Sequence, residues 1–278
     1  MSSARLRLLG LLSAPLAWLL VAYLGSLVAM FATAFWSTDS FTGALVRVPT
    51  GDNFSTLFHD SVYRTVALRS LGVAVAVTVI DAAVAVPMAL FMAKVARPRW
   101  RGVLVAAVLT PLWASYLVKT YAWRTMLSED GVANWALGPF GLHGPGFGLV
   151  AVVLTLSYLW LPYMVLPIYA GLERIPESML EASSDLGAGA GRTLRSVVLP
   201  LLFPAIVAGS IFTFSLSLGD YITVKIVGGS SQLFANIIYD NIGVAANLPF
   251  AAAASFFPVI VILVYLALAR RSGALENL

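Results

Sequence analysis

The 278-residue chain contains no cysteine and only two histidines, His59 and His143. Without cysteine there is no disulfide, no thiolate catalysis and no cysteine-ligated metal, although the compartment stays open. Neither G-x-x-x-x-G-K-[ST] nor H-E-x-x-H occurs, so the chain carries neither a P-loop nor a zinc-peptidase helix. Charge is scarce as well: 11% of residues are charged against 60% hydrophobic. A soluble domain has about 25% charged residues. With a mean hydropathy of +0.90, the composition describes an all-α polytopic membrane protein. No soluble domain, low-complexity tract or short repeat interrupts it, so residues 1–278 read as a single transmembrane domain. Nothing in the chain suggests a catalytic residue, a metal or a cofactor.

A hydrocarbon core of about 30 Å needs about 20 apolar residues per helix. Six stretches meet this, at about 8–36, 66–96, 103–127, 148–172, 197–218 and 251–269. The first resembles a secretory signal at its start, where Arg5 and Arg7 precede an apolar run. That run extends from Leu8 to Thr38 without a charge, whereas a signal's apolar region is about 7–15 residues, so it is expected to be a retained helix. An even number of spans places both termini on one side. Eleven of the 17 basic residues (Arg5, Arg7, Lys94, Arg97, Arg99, Arg101, Arg174, Arg192, Arg195, Arg270 and Arg271) fall at ends or loops on that side, which marks it as cytoplasmic. The chain is therefore expected in the inner or plasma membrane, with both termini inside. Its net charge of +4 belongs mainly to this face and points to lipid headgroups rather than nucleic acid.

The cytoplasmic loop at about 173–196 holds the most distinctive segment, Glu181 to Pro200. A helix there places Glu177, Glu181 and Asp185 one turn apart on one stripe, and Met179, Ala182, Ser183 and Leu186 on another. Like charges at this spacing repel by a few tenths of a kcal/mol, a cost that a basic partner surface offsets. Ala182, Ser183 and Ser184 keep the helix thin. Gly187 is expected to stop the helix at positive φ, with Gly189 and Gly191 permitting a sharp reversal before Val197 re-enters the membrane. The plainer alternative is an ordinary amphipathic connector.

Glu181-Ala182-Ser183, three residues, Gly187, nine residues, then Val197-Val198-Leu199-Pro200 resembles the EAA loop of binding-protein-dependent ABC importer permeases. Ser183 stands for the second alanine and Val197 for isoleucine, both small changes. The resemblance implies the type I importer permease fold of six transmembrane helices with a cytoplasmic coupling helix. It also implies that Glu181, Ala182, Ser183, Asp185, Gly187, Leu199 and Pro200 take part in coupling to ATPase subunits. On this reading the chain is no enzyme, and ATP is bound by another chain. The implied partners are two ATPase subunits, a second permease subunit, an extracytoplasmic solute-binding protein and the lipid bilayer.

Ionisable groups inside spans are costly, about 2.5–3.5 kcal/mol for Asp at a helix centre, and face a cavity or a partner. Asp81 lies mid-span and either lines a pathway or serves an interhelical hydrogen bond. Asp220 follows Gly219, where the helix is expected to break; it lines a cavity or caps a helix end. Tyr116, Lys119 and Tyr121 are portal candidates, while Trp123 and Arg124 read as an interfacial belt and Arg69 as a snorkelling anchor. Tyr221 joins the path candidates. Three outer segments at about 37–65, 128–147 and 220–250 are rich in turn residues and suited either to receiving a delivery protein or to plain connection.

Leu109-Thr110-Pro111-Leu112-Trp113, Lys119-Thr120-Tyr121-Ala122-Trp123, Leu166-Pro167-Ile168-Tyr169 and Leu218-Gly219-Asp220-Tyr221-Ile222-Thr223 are similar to the spermidine/putrescine permease subfamily. Val224, where proline is usual, and Gly228-Gly229-Ser230, for Gly-Gly-Pro, depart from it. The resemblance implies a polyamine cargo, with Asp81, Asp220 and the tyrosines as ammonium partners through ion pairing and cation–π contact. Iron, thiamine, sulfate or sugar remain alternative cargoes. An ion-coupled carrier or membrane enzyme remains the alternative class, although no pair of internal repeats supports a carrier.

Overall fold

The computed structural model describes residues 3–39 and 42–273, with side chains described from Gly10 onward. The side chains of Arg5 and Arg7 lie outside this range. Among the described residues, five helical stretches are long and apolar enough to cross a membrane: Gly10–Thr33, Ser61–Val95, Leu149–Glu173, Ala190–Leu218 and Leu248–Arg270.

In chain order the helices are α1 (Ser3–Leu19), α2 (Ser26–Thr33), α3 (Asp52–His59), α4 (Ser61–Leu90), α5 (Pro98–Trp113), α6 (Tyr116–Leu127) and α7 (Val132–Leu137). There follow α8 (Leu149–Glu173), α9 (Glu177–Asp185), α10 (Ala190–Thr193), α11 (Leu199–Leu218), α12 (Ile222–Val227), α13 (Phe234–Gly243) and α14 (Leu248–Arg270). Single π turns at Leu20–Gly25 and Leu194–Val198 interrupt the helical path without ending it, and one at Phe91–Val95 closes the α4 path before the extended Ala96. A two-residue hairpin pairs β1 (Ser37–Thr38) with β2 (Leu45–Val46), Ser37 opposite Val46.

The third expected span, 103–127, is not one rod. It consists of α5 and α6, which meet at 92°. Ala114 (φ −76°, ψ 143°) and Ser115 (φ −54°, ψ 135°) are extended at the joint. Pro111 has no N–H to donate and weakens the last turn of α5, while the Tyr116 hydroxyl is held by Asp220 and Thr223. The two helices together are apolar enough to read as one span, so hydropathy gives no sign of the bend.

The chain divides into two compact units, Met1–Arg64 with Ile237–Phe257 and Thr65–Asn236 with Pro258–Leu278. In the first, Ala34, Ala252 and Ala253 form a small core, beside which Phe54 meets the rings of Phe35 and Phe256. The Asn53 amide donates to the Ala34 and Trp36 carbonyls at 2.9 and 2.8 Å, holding the chain as it leaves α2.

The second unit is built around α8 and α11. A Cβ on Gly171 would lie 2.8 Å from the Ala205 Cβ, and one on Gly209 would lie 3.1 Å from the Met164 Cα. Small residues here let two apolar helices approach closely, the usual means of association where lipid removes the hydrophobic drive. Ala85, Ala89 and Met92 of the α4 path pack with Met164, Ile168, Leu172, Val198 and Leu202 into one core. A second core joins Val73 and Val77 to Val152, Leu156, Leu159, Val224 and Leu233.

Candidate functional site

Alpha-helix α9 follows directly from α8. Ile175 is buried between them, and Pro176, fixed at φ −67°, opens α9. The helix ends at Gly187, whose φ is +77°. Gly187 N–H donates to the Ser184 carbonyl at 2.8 Å and Ala188 N–H to the Ser183 carbonyl at 3.1 Å. This pair of bonds is a Schellman closure, which satisfies the last free carbonyls and requires a left-handed residue at that position.

Glu177, Glu181, Ala182 and Asp185 are exposed. Leu186 is 89% exposed, an apolar side chain standing free at the end of the acidic stripe. Leu180 packs inward on the core. Ser183 is buried, and its Oγ lies 2.9 Å from Thr193 Oγ1, which ties α9 to α10. The expected second stripe therefore splits: Ser183 turns inward, while Met179, Ala182 and Leu186 stay outside.

Two details of this loop differ from expectation. Gly189 (φ −70°, ψ 164°) is extended and Gly191 lies within α10, so neither uses glycine's special freedom, and the reversal rests on Gly187. Helix resumes at Ala190 rather than Val197, running through the π turn Leu194–Val198 into α11. Leu199 is half-buried and Pro200 exposed in the first turn of α11. The π turn accommodates Pro200, whose ring withholds a donor from the turn before it.

Lys94, one of the basic residues of the cytoplasmic set expected from the sequence, donates from Nζ to the Ile175 carbonyl at 2.8 Å. Neither this bond nor the role of Thr193 carries a sequence signal, because each depends on which loop residue folds back against which helix. At the same end, a cavity of about 470 Å³ lies between α8 and α11, lined by Pro167, Gly171, Arg174, Met179, Pro204 and Ala205.

At the opposite end of α11 the helix stops at Leu218, and Gly219 is its C-cap. Asp220 lies just before α12: its Oδ1 accepts from Thr223 N at 2.8 Å, and its Oδ2 accepts from the Tyr116 hydroxyl and from Thr223 Oγ1 at 3.3 Å. Asp220 thus acts as a helix cap and also clamps α6 to α12. Tyr116, Trp160, Asp220 and Tyr221 line a cavity of about 290 Å³, in which Trp160 stacks on Tyr116 with ring centroids 5.9 Å apart. Trp160 is an addition to the sequence-derived set, since a tryptophan within a long apolar helix looks like core or interfacial packing.

The remaining candidates do not join this cavity. Tyr121 is 52% exposed, Lys119 is half-buried on α6, and neither contributes to the lining. Asp81 is fully buried, facing Ser157 of α8, and neither its carboxylate oxygens nor the Ser157 hydroxyl completes a hydrogen bond.

Residues 74–272 match the family described as binding-protein-dependent transport system inner membrane component. Over 287 aligned residues the chain is 42% identical to the inner membrane ABC transporter permease protein YdcU of Escherichia coli K12, covering 96% of this chain and 90% of that one. It is 29% identical over 243 residues to the spermidine/putrescine transport system permease protein PotB of Haemophilus influenzae, covering 86% of this chain and 84% of that one. Among solved structures, a chain of the bacterial alginate ABC transporter, in complex with an alginate pentasaccharide-bound periplasmic protein, superposes with a TM-score of 0.75. The identity is 17%, over 97% of this chain and 94% of that one. A chain of the inward-facing MetNI methionine ABC transporter gives a TM-score of 0.56 at 17% identity, over 76% of this chain and 96% of that one.

Proposed function

Because this chain belongs to the binding-protein-dependent transport system inner membrane component family, we propose that its cargo is a polyamine and that α9 is the element through which ATPase subunits drive it. The chain is a permease subunit of an ABC importer in the inner membrane, and ATP is hydrolysed on a separate subunit. The face bearing α9, with both termini, is cytoplasmic. ATPase subunits dock against Glu181, Ala182, Asp185 and Leu186, a second permease completes the pathway, and a solute-binding protein docks on the opposite face.

The observation that carries the docking role is the Schellman-closed helix with its exposed acidic stripe and positive-φ Gly187, set at the spacing of the EAA loop. Ser183 and Thr193 transmit load between α9 and α11, and Leu199 and Pro200 continue it into the membrane.

The polyamine reading is supported by the similarity to PotB and by the cavity beside Asp220. There Tyr116, Trp160 and Tyr221 line the cavity together with Asp220, a composition that suits an alkylammonium through cation–π and charge contact. Asp220 keeps its cap while contributing charge, so the aromatic rings are the direct contacts. Lys119 and Tyr121 lie on α6 outside the cavity lining, and Asp81 serves packing between α4 and α8 rather than the path.

Uptake of labelled spermidine and putrescine, measured in cells with and without the gene and with a Gly187→Arg control, tests both parts. Loss in the deletion and in the Gly187 variant supports the reading. Unchanged uptake in the deletion strain removes the polyamine cargo and leaves the permease assignment in place.

A further inference from the structure

Helix α4, extended by the π turn Phe91–Val95, is fastened at two distant points by side chains that leave their own helix. Near one end, Lys94 Nζ donates to the Ile175 carbonyl at 2.8 Å. Ile175 is 5% exposed and sits two residues before α9. Near the other end, the Ser70 hydroxyl, 1% exposed, accepts from the Phe234 N–H at 2.7 Å. That N–H belongs to the first turn of α13, where the helix has no backbone acceptor of its own to offer.

The segment around Phe234 is itself a connected unit. Asn236 Oδ1 accepts from Leu233 N–H at 3.2 Å, and Asn236 Nδ2 donates to the Tyr221 carbonyl at 3.0 Å. Tyr221 lines the cavity beside Asp220. One continuous helical stretch therefore joins the lead-in to α9 with the loop that shapes the cavity. Between Ser70 and Lys94 it is about 36 Å long at 1.5 Å per residue, enough to span the hydrocarbon core.

A helix is stiff along its axis, so the two fastenings pass a displacement of Ile175 along α4 to Phe234, beside the path through α8 and the second core. Packing also ties α4 to α8 along its length through Ala85, Ala89 and Met92 against Met164, Ile168 and Leu172, and the hydrogen bonds add a directional fastening near each end. The two hydrogen bonds fix the axial position. The π turn places Lys94 where its side chain meets the loop, and its own ladder bond, Ala96 N–H to the Phe91 carbonyl at 2.8 Å, keeps the end of the helix intact.

We propose that α4 is the transmission rod between the ATPase-facing helix α9 and the outer cavity loop, with Lys94 and Ser70 as the positioning residues at its two ends. This rests on the coupling role of α9 given above. Neither residue touches cargo or nucleotide; each acts through the backbone group it holds.

The test uses the complete transporter, both permeases with the ATPase subunits, in proteoliposomes, and reads the fold stimulation of ATP hydrolysis by the binding protein as purified. Lys94→Met is expected to lower that stimulation to near unity with basal hydrolysis and subunit co-purification unchanged. Ser70→Ala is expected to lower it several-fold, the double variant to fall no further than Lys94→Met, and Lys94→Arg to keep at least half of the wild-type stimulation. Wild-type stimulation in both single variants, or losses that multiply in the double variant, overturns the proposal. Should Lys94→Met fail to assemble, Ser70→Ala decides by the same criterion. Gly187→Arg separates the two readings: if it uncouples while Lys94→Met and Ser70→Ala do not, the rod falls and the α9 role stands. If Gly187→Arg is itself stimulated normally, the α9 role falls.

Discussion

Ser183 Oγ and Thr193 Oγ1 lie 2.9 Å apart, a single bond between the middle of the exposed loop and the helix that re-enters the membrane. It gives α9 a side-chain attachment in addition to its two covalent ones, and it makes the inward turn of Ser183 intelligible. The small residue is there to reach Thr193, and the neighbouring acids are left to face outward.

Replacing Ser183 by Ala and Thr193 by Val, singly and together, measures this bond. A double-mutant cycle on thermal unfolding is expected to return a coupling energy of about 1 kcal/mol. A value indistinguishable from zero would mean that the two hydroxyls are independently solvated.

Gly187 holds φ +77° with open space around its Cα, so a substitution there is strained by backbone and not by crowding. Gly187→Ala is expected to destabilise the loop by about 1–2 kcal/mol and to lower solute transported per ATP hydrolysed, while global unfolding of the membrane helices hardly moves. Equal coupling ratios for wild type and Gly187→Ala in proteoliposomes would show that the positive φ is dispensable.

Removing the Tyr116 hydroxyl leaves the Asp220 carboxylate and the Thr223 hydroxyl short of a partner in a buried corner. Tyr116→Phe is expected to cost about 1–3 kcal/mol, seen as a lower Tm in detergent, and to loosen the α6–α12 contact. An unchanged Tm would indicate that water replaces the hydroxyl there.

Gly171 faces Ala205 at a distance that leaves no room for a side chain. Gly171→Val forces α8 and α11 apart, with an expected loss of about 1–3 kcal/mol and a matching drop in folded yield. Recovery in a Gly171→Ala, Ala205→Gly pair would confirm that close approach, and not backbone freedom, is what the glycine supplies.

Asp81 has no hydrogen-bond partner for either oxygen and contributes to neither of the cavities at the ends of α11. Asp81→Asn is therefore expected to keep both fold and uptake. A several-fold fall in uptake at wild-type expression would place Asp81 in the path after all.

Much of this architecture is legible in the sequence because its signals are local. Apolar length locates α8 at Leu149–Glu173 and α14 at Leu248–Arg270 to within about three residues, in keeping with the usual uncertainty of helix ends. The spacing of Glu177, Glu181 and Asp185 ahead of Gly187 locates α9 and its stop. What escapes is set by contacts between distant segments. The 92° corner at Ala114–Ser115 lies in a stretch apolar enough overall to read as one span, and depends on what holds Tyr116. Trp160 joins the cavity only because Tyr116 is brought beside it. Lys94 finds Ile175 across 81 residues of sequence, and a charge at a helix end looks the same whether it serves lipid headgroups or a buried carbonyl. Gly189 and Gly191 mislead in the opposite direction, since a glycine-rich loop suggests reversals that a single positive φ already accomplishes.

The most direct test of α9 as the ATPase-facing element uses the absence of cysteine. A single Ala182→Cys, labelled with a benzophenone maleimide in the assembled transporter, is expected to cross-link on illumination to the ATPase subunit. It is also expected to be unreactive to a membrane-impermeant maleimide added outside intact cells. Labelling from outside, or a cross-link to the solute-binding protein in place of the ATPase, would contradict both the docking role of α9 and the orientation assigned to the chain.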